Sequence, residues 1–404
     1  MRPTKPLGQV EFIALIAMLF ATIAFSIDAM LPALPRIAAE LSPGDPNKAQ
    51  LILTSFVMGM GLGTFVAGPL SDSFGRRTVI VAGAGLYCLA ALVAWAAPTL
   101  ETVLAARLLQ GIGAAGPRVV SLALVRDLYK GRAMARIVSF AMMIFTLVPA
   151  IAPALGQAII AGFGWRSVFL AFLGFSAISL CWMLARQPET LPPESRRPFR
   201  AGALWSALRE VLGYRIIRLA IAAQTLAFAC LFATLSSIQP IFDLTFGRGD
   251  DFPLYFAAIA VLAGSASFIN ARYVGRLGMR RLVLMTFAAQ VVFSGVSTFL
   301  HGLHSLPEAL VFPAYFLWTT GVFFMVGLTL GNLNALALEP VGHIAGMAAS
   351  VTGSIATVAS VLLAVPVGLL YDGTPVPLMA AVTVFAGLGV IVVRQMSPAP
   401  SSPG

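Results

Sequence analysis

Asp28 is the one carboxylate that stands well inside an apolar run of this chain, and Arg107 and Arg118 are the two cations that do. In hydrocarbon an ionised side chain costs several kcal/mol, so a carboxylate there tends to hold a proton and to mark a proton or ion path. Asp28 follows Phe12 by sixteen residues, which at about 1.5 Å each places it roughly 24 Å from the start of its run. Arg107 lies about five residues inside a run that travels the opposite way, at a similar depth. The two could meet. Either Asp28 carries a transported proton while Arg107 modulates it, favouring the ionised form when near and the protonated form when withdrawn, or the two form a static ion pair between helices; direct contact with a substrate is the third reading. Arg118, after Pro117, stands about eight residues or roughly 12 Å from the inner end of its run, farther than an arginine stem reaches. It either binds an anionic substrate group or satisfies helix-end carbonyls or polar groups of another helix.

Other chemistry is sparse. Gln157, Gln224, Gln239, Asn332 and Asn334 are polar groups inside apolar runs, where each either lines a substrate cavity or packs between helices. Gly111-Ile-Gly113-Ala-Ala-Gly116 formally satisfies the dinucleotide fingerprint, but no strand precedes it, and small residues at this spacing let membrane helices approach closely. Cys88, Cys181 and Cys230 fall inside apolar runs without paired spacing and read as small buried apolar residues; no metal knuckle is indicated. His301-x-x-His304 has no third ligand and reads as a solvated face. With no Ser/His/Asp set, no HExxH and no phosphate loop outside the runs, no enzyme chemistry and no bound cofactor is expected, and any work must draw on an ion gradient or the substrate's own gradient.

The elements that hold these residues are membrane helices. Of 404 residues, 59% are hydrophobic and 10% charged, and the mean hydropathy is +0.91, against about 25% charged residues in soluble domains. Since a helix of about 20 apolar residues crosses a bilayer, twelve spans can be drawn, from Phe12–Leu34 to Pro375–Val393. The first is too long for a cleaved signal segment and contains Asp28, Pro32 and Pro35. The net charge of +10 could suggest nucleic acid, but the basic residues lie between the spans, as topology determinants do. With both termini inside, twenty Lys and Arg fall on inner segments and four (Arg36, Lys48, Arg166 and Arg248) on outer ones, which fixes a cytoplasmic orientation for both termini.

One long connection divides the spans six and six: an N-terminal bundle over 1–184, a basic proline-containing cytoplasmic linker over 185–218 and a C-terminal bundle with a short tail over 219–404. The halves repeat, Gly75-Arg-Arg77 after the second span returning as Gly278-Met-Arg-Arg281 after the eighth, with Gly275 where Asp72 stands in the first copy. Duplicated six-helix bundles are a transporter architecture, in which the halves rock about a midplane site.

The polar turn Gly68-Pro-Leu-Ser-Asp72-Ser-Phe-Gly75-Arg76-Arg77 resembles the signature loop of the major facilitator superfamily at every defining position. Arg107-Leu-Leu-Gln110-Gly111-Ile-Gly113 is similar to the motif of its proton-coupled members. Pro149-Ala-Ile-Ala-Pro153-Ala-Leu-Gly156-Gln157 is similar to the antiporter motif, with Gln157 in place of the usual second glycine. With Asp28-Ala-Met-Leu-Pro-Ala-Leu-Pro35 and Gly346-Met-Ala-Ala-Ser350, the whole chain resembles the drug and proton antiporters of the bicyclomycin and chloramphenicol resistance type.

The resemblance implies an all-α membrane protein, twelve transmembrane helices in two six-helix bundles, exporting small lipophilic drugs in exchange for protons across a bacterial inner membrane, as a monomer. It further implies that Asp72 faces the start of the eleventh span, near Gly342 to Gly346, as a cytoplasmic lock between halves, where a helix N-terminus favours an anion. Pro149 and Pro153 would bend their helix as a gate element or without gating. A transporter of one endogenous metabolite remains the nearest alternative; a membrane-embedded enzyme or a channel ranks below it.

Overall fold

The computed structural model describes residues 7–396 except 197 and 200, without the side chains of 135, 146, 201, 203, 204, 207 and 343. Four of the inner basic residues, Arg2, Lys5, Arg197 and Arg200, thus lie outside the described residues. Because hydrocarbon offers no partner for backbone N–H and C=O groups, each crossing segment must close its own hydrogen bonds. Among the described residues twelve helical segments are long and apolar enough to cross, and the fold is all-helical, as expected.

The helices are α1 (Gln9–Asp28), α2 (Leu34–Leu41), α3 (Leu51–Phe74), α4 (Arg76–Trp95), α5 (Leu100–Leu128), α6 (Gly131–Phe163), α7 (Ser167–Arg186), α8 (Ala201–Gly213), α9 (Arg215–Pro240), α10 (Phe252–Gly264), α11 (Ala266–Leu277), α12 (Met279–Gly302), α13 (Glu308–Leu338), α14 (Ala345–Leu369) and α15 (Val376–Arg394). The first span is α1 and α2 together, Gln9–Leu41, joined by a short 3-10 turn over Leu31–Ala33. It is longer than the hydropathy run because Arg36 and Glu40 sit on helical turns beyond the apolar stretch, where Arg36 Nη1 donates to the Ile160 carbonyl at 3.0 Å.

Two local expectations need correction, and the linker holds one further helix. The polar turn at Gly68–Arg77 is a single residue: α3 continues to Phe74, α4 begins at Arg76, and only Gly75, at φ +99°, stands outside a helix. Within the linker, α8 is helical, with Arg209 stacked over the Trp205 ring at 5.2 Å. His301 is buried, not solvated, because α12 runs on to Gly302 and places the ring against the Ser297 carbonyl at 2.9 Å and the Val311 carbonyl at 3.4 Å. Of the cysteines, Cys230 is buried, Cys88 partly so, and Cys181 exposed.

The chain packs as two compact units, Met1–Leu204 with Ile238–Ala260 and Trp205–Ser237 with Val261–Gly404. In the first, α5 is central, packed most extensively on α3 and α4. Glycine makes this possible. A Cβ at Gly59 would collide with the Leu108 carbonyl, and one at Gly111 with the Phe56 carbonyl; Gly83 and Gly113 meet in the same way across α4 and α5. The glycines of the rejected dinucleotide pattern are therefore a helix seam. At both ends α7 is pinned to the first span by an acid shared between a Trp and an Arg. Glu11 accepts from Trp182 Nε1 at 3.2 Å and from Arg186 Nε and Nη2 at 2.8 Å. Glu40 accepts from Trp165 Nε1 and Arg166 Nη1, each at 2.6 Å.

In the second unit α12 packs on α13 and α15. A buried polar knot joins two of these helices, the Ser294 hydroxyl accepting from Gln290 Nε2 at 2.8 Å and from Trp318 Nε1 at 2.9 Å. Outward-facing apolar side chains such as Leu89, Leu254, Phe268 and Val292 are exposed in both units, as a surface solvated by acyl chains requires.

The seam sets a stability order. Gly59→Ala and Gly111→Ala each force a methyl group into a backbone carbonyl, an overpacking cost of about 1–3 kcal/mol. The expected result in a fluorescence-detected melting series is a lower Tm for both than for Gly85→Ala, whose added methyl meets nothing within 4 Å. Equal melting of the three variants would dismiss the seam.

Candidate functional site

Arg107, Gly111, Ala114 and Arg118 recur at i, i+4, i+7 and i+11 and so share one face of α5. At the N-terminal end of this face the Gly59–Gly111 contact lets α3 come close enough for the Ile52 carbonyl to accept from Arg107 Nε at 3.2 Å. Nη1 donates to Gln110 Oε1 at 2.7 Å and Nη2 to the Ser26 carbonyl at 3.0 Å. The Phe56 ring lies 4.3 Å below the guanidinium carbon. The side chain is 0% exposed, so this cation is satisfied wholly by neutral acceptors and a π face.

Asp28 is the last residue of α1, just before the break that leads to α2, and is 5% exposed. Among the described residues its carboxylate has neither a hydrogen-bond donor nor a cation within reach. The expected meeting of Asp28 with Arg107 is not formed: the guanidinium engages the backbone at Ser26, two residues earlier, and each of its three nitrogens donates to a neutral acceptor. Beside Asp28, α6 comes within contact of the Ala29 backbone, and a Cβ at Gly156 would overlap the Ala29 carbonyl. Gly156 thus sets the approach of α6 to the end of α1 that carries Asp28. The helix α6 is continuous through Pro149 and Pro153.

Around this pair lies a set of polar groups that apolar-run reading passed over. The Ser26 hydroxyl is hydrogen-bonded to the Tyr87 hydroxyl and donates to the Thr22 carbonyl at 2.6 Å. Tyr87 is buried on α4 and Gln110 on α5. An aromatic residue in an apolar run gives no signal of what its hydroxyl meets, so only its hydrogen bond to Ser26 reveals Tyr87.

Gly68 and Asp72 lie in the last turns of α3, and Arg76 and Arg77 open α4. Arg76 pairs with Asp72 through Nη1 and with Asp127 through Nε at 3.1 Å. The first N–H groups of α4 are capped from the linker: Glu189 accepts from Arg76 N at 2.9 Å and Arg77 N at 3.1 Å. A negative cap on exposed helix-terminal donors is favourable by both hydrogen bonding and the helix dipole. Gly75 is needed twice, for its positive φ and because a Cβ would come within 2.5 Å of the Glu189 carboxylate. Neither Asp127 nor Glu189 was singled out from the sequence, since their distance along the chain from Arg76 carries no periodic signal.

The remaining polar candidates separate. Arg118 is only partly buried and touches Met60 Sδ at 3.9 Å. Gln157 donates to the Asp250 carbonyl at 3.1 Å. Gln224 and Gln239 are buried on α9, with Gln224 Nε2 and Gln239 Oε1 unpartnered among the described residues. Asn332 is a packing residue, donating to Asn270 Oδ1 at 2.7 Å and tying α13 to α11. Asn334 is exposed.

Since Arg107 and Asp28 are held independently, their substitutions should differ in kind. Arg107→Leu removes three hydrogen bonds, to the Ser26 and Ile52 carbonyls and to the Gln110 amide oxygen, a loss on the order of 3 kcal/mol or more. Asp28→Asn breaks no contact and should shift stability by less than about 0.5 kcal/mol. Thermal melting of the two purified variants tests this; comparable destabilisation would restore the static ion pair.

Comparison with known proteins places this arrangement. The bicyclomycin resistance protein homolog of Haemophilus influenzae is 32% identical over 344 residues, 82% of each chain. The multidrug resistance protein MdtL of Shewanella oneidensis is 29% identical over 357 residues, 85% of each chain. The chloramphenicol resistance protein of Pseudomonas aeruginosa is 32% identical over 255 residues, 62% of this chain and 58% of that protein. Among solved structures a D-xylose-proton symporter has the same fold, with a TM-score of 0.76 at 13% identity, covering 97% of this chain and 98% of the symporter. The family profile of the Major Facilitator Superfamily matches residues 14–364. The chain belongs to the Major Facilitator Superfamily and is a multi-pass membrane transporter, not an enzyme.

Proposed function

We propose that this transporter exports small lipophilic drugs in exchange for protons, by alternating access, across a bacterial inner membrane with both termini in the cytoplasm. The observation that carries the reading is Asp28, a carboxylate 5% exposed at a break in a membrane helix, with no cation or donor beside it among the described residues. It is the place in the spans where a proton can be bound and released without dismantling an ion pair. The resistance proteins among the relatives support drugs as the cargo, and the twenty-to-four division of basic residues supports the orientation.

In this reading Asp28 carries the proton and Arg107 is a positioning residue, holding the last turn of α1 through the Ser26 carbonyl. Gly156 lets α6 bear directly on that turn, so movement of α6 changes the surroundings of the carboxylate. The six-helix bundles over 1–184 and 219–404 are the moving halves. Asp72, Arg76, Arg77 and the glycines Gly68 and Gly75 form a cytoplasmic lock, with the Asp72 carboxylate 46% exposed beside Arg76. Gly275 in the repeat leaves the lock on one half only. Protons supply the energy and no cofactor takes part.

Inverted membrane vesicles acidified by respiration test the exchange. Adding a lipophilic drug should release part of the proton gradient in the wild type and none with Asp28→Asn; full drug-dependent proton movement in that variant would remove the carrier assignment. Asp72→Asn should slow turnover several-fold while proton binding to the purified protein, followed by release into unbuffered detergent solution, stays as in the wild type. Wild-type turnover would end the lock hypothesis.

A further inference from the structure

The two arginines on the shared face of α5 are treated oppositely by the fold. Arg107 is fully enclosed by three acceptors and an aromatic ring. Arg118, eleven residues or about 16 Å farther toward the cytoplasmic end, has as its hydrogen-bonding neighbour a thioether, Met60 Sδ at 3.9 Å. Among the described residues no carboxylate lies within ion-pairing distance of it, and no carbonyl accepts from it. The carbonyls around Pro117 do not account for it either, since the Pro117 oxygen accepts from the Ser121 hydroxyl. The structural role open to Arg118 from the sequence, a partner for helix-end carbonyls or polar side chains, therefore finds no partner here.

A guanidinium keeps its charge in proteins, and an uncompensated one at membrane depth is costly. The fold has not enclosed it: the residue is partly exposed, in a helix whose neighbouring positions Pro117 and Gly116 are buried. Its neighbour Met60 is soft and adaptable, suited to apolar bodies of varied shape. A planar fork of donors beside a thioether fits a ligand with a carboxylate at one end and an apolar body at the other.

We propose that Arg118 is the anion-recognition point of the substrate path, receiving the carboxylate of amphipathic organic acids, so that the exported molecules include lipophilic carboxylates. This rests on the efflux reading above but concerns a different residue from the proton site.

The test uses the full-length protein purified in detergent, with 1-pyrenebutyrate and its neutral amide as matched fluorescent probes. A charge-assisted bidentate contact should make the acid about tenfold tighter than the amide. Arg118→Gln and Arg118→Met should bring the acid down to the affinity of the amide and leave the amide unchanged, whereas Arg118→Lys should keep most of the preference. Independently of any variant, modification of the wild type by p-hydroxyphenylglyoxal, located by peptide mass spectrometry, should label Arg118 but not the enclosed Arg107, and the acid alone should protect it. Equal affinities for acid and amide in the wild type, an acid preference that survives in either neutral variant, or labelling of Arg118 that the acid does not slow would each overturn the assignment. Proton movement driven by the amide in inverted vesicles reports the efflux reading separately. If the amide moves protons while the acid has no preference, Arg118 alone is misassigned; if neither probe moves protons while the acid protects Arg118, the efflux reading falls and the anion site stands.

Discussion

A cation with no access to water must find every acceptor within the protein, and Arg107 is where this chain meets that demand. Its guanidinium draws on the backbone of α1 and α3, a side chain of its own helix and the Phe56 ring. Three membrane helices are thereby fixed in register around one group. The requirement propagates: the Ile52 carbonyl is close enough only because Gly59 and Gly111 remove the side chains between α3 and α5. The Ser26 carbonyl is available because α1 ends two residues later. Polar satisfaction at one point and small residues at two others thus belong to a single solution.

Asp28 is then defined by what Arg107 does not do. Had the two formed an ion pair, protonation of the carboxylate would have had to break a desolvated contact worth several kcal/mol. Held apart, with the arginine spent on neutral acceptors, the carboxylate is left as a separately addressable group next to the α1–α2 break and against the bare backbone of α6 at Gly156. In the proposed exchange, protonation of Asp28 would leave the Arg107 contacts intact.

The fold was largely legible from hydropathy because the bilayer imposes a single length and a single backbone solution on every crossing segment. Twelve spans and the glycine seam follow from that constraint. The ends of elements were less legible: the extension of α3 to Phe74 and of α12 past His301 depends on capping and on side-chain partners that hydropathy averages away. The site was legible in its residue types but not in its pairings. Asp28 and Arg107 stood out as charges in apolar runs, yet their mutual independence depends on which donors the Ser26 and Ile52 carbonyls find. For Asn332, cavity lining and packing between helices are distinguished only by Asn270 on α11, which accepts its amide. Tyr87, Asp127 and Glu189 carry no local signature at all, being defined by helices brought together from distant parts of the chain.

Glu189 has a wider consequence. The residue that caps α4 is the first acid after α7, and its neighbours Thr190 and Leu191 also donate their N–H groups to the same carboxylate. The Thr190 hydroxyl in turn reaches Asp127 at 2.8 Å. The opening of the basic connection is therefore part of the folded first unit, which runs on to Leu204, and Arg196 also comes back against Gly75. Anyone dividing this protein into two co-expressed fragments, or grafting a reporter into the connection, has to cut downstream of these contacts: a break at 185 would strip the cap from the helix that carries Arg76 and Arg77.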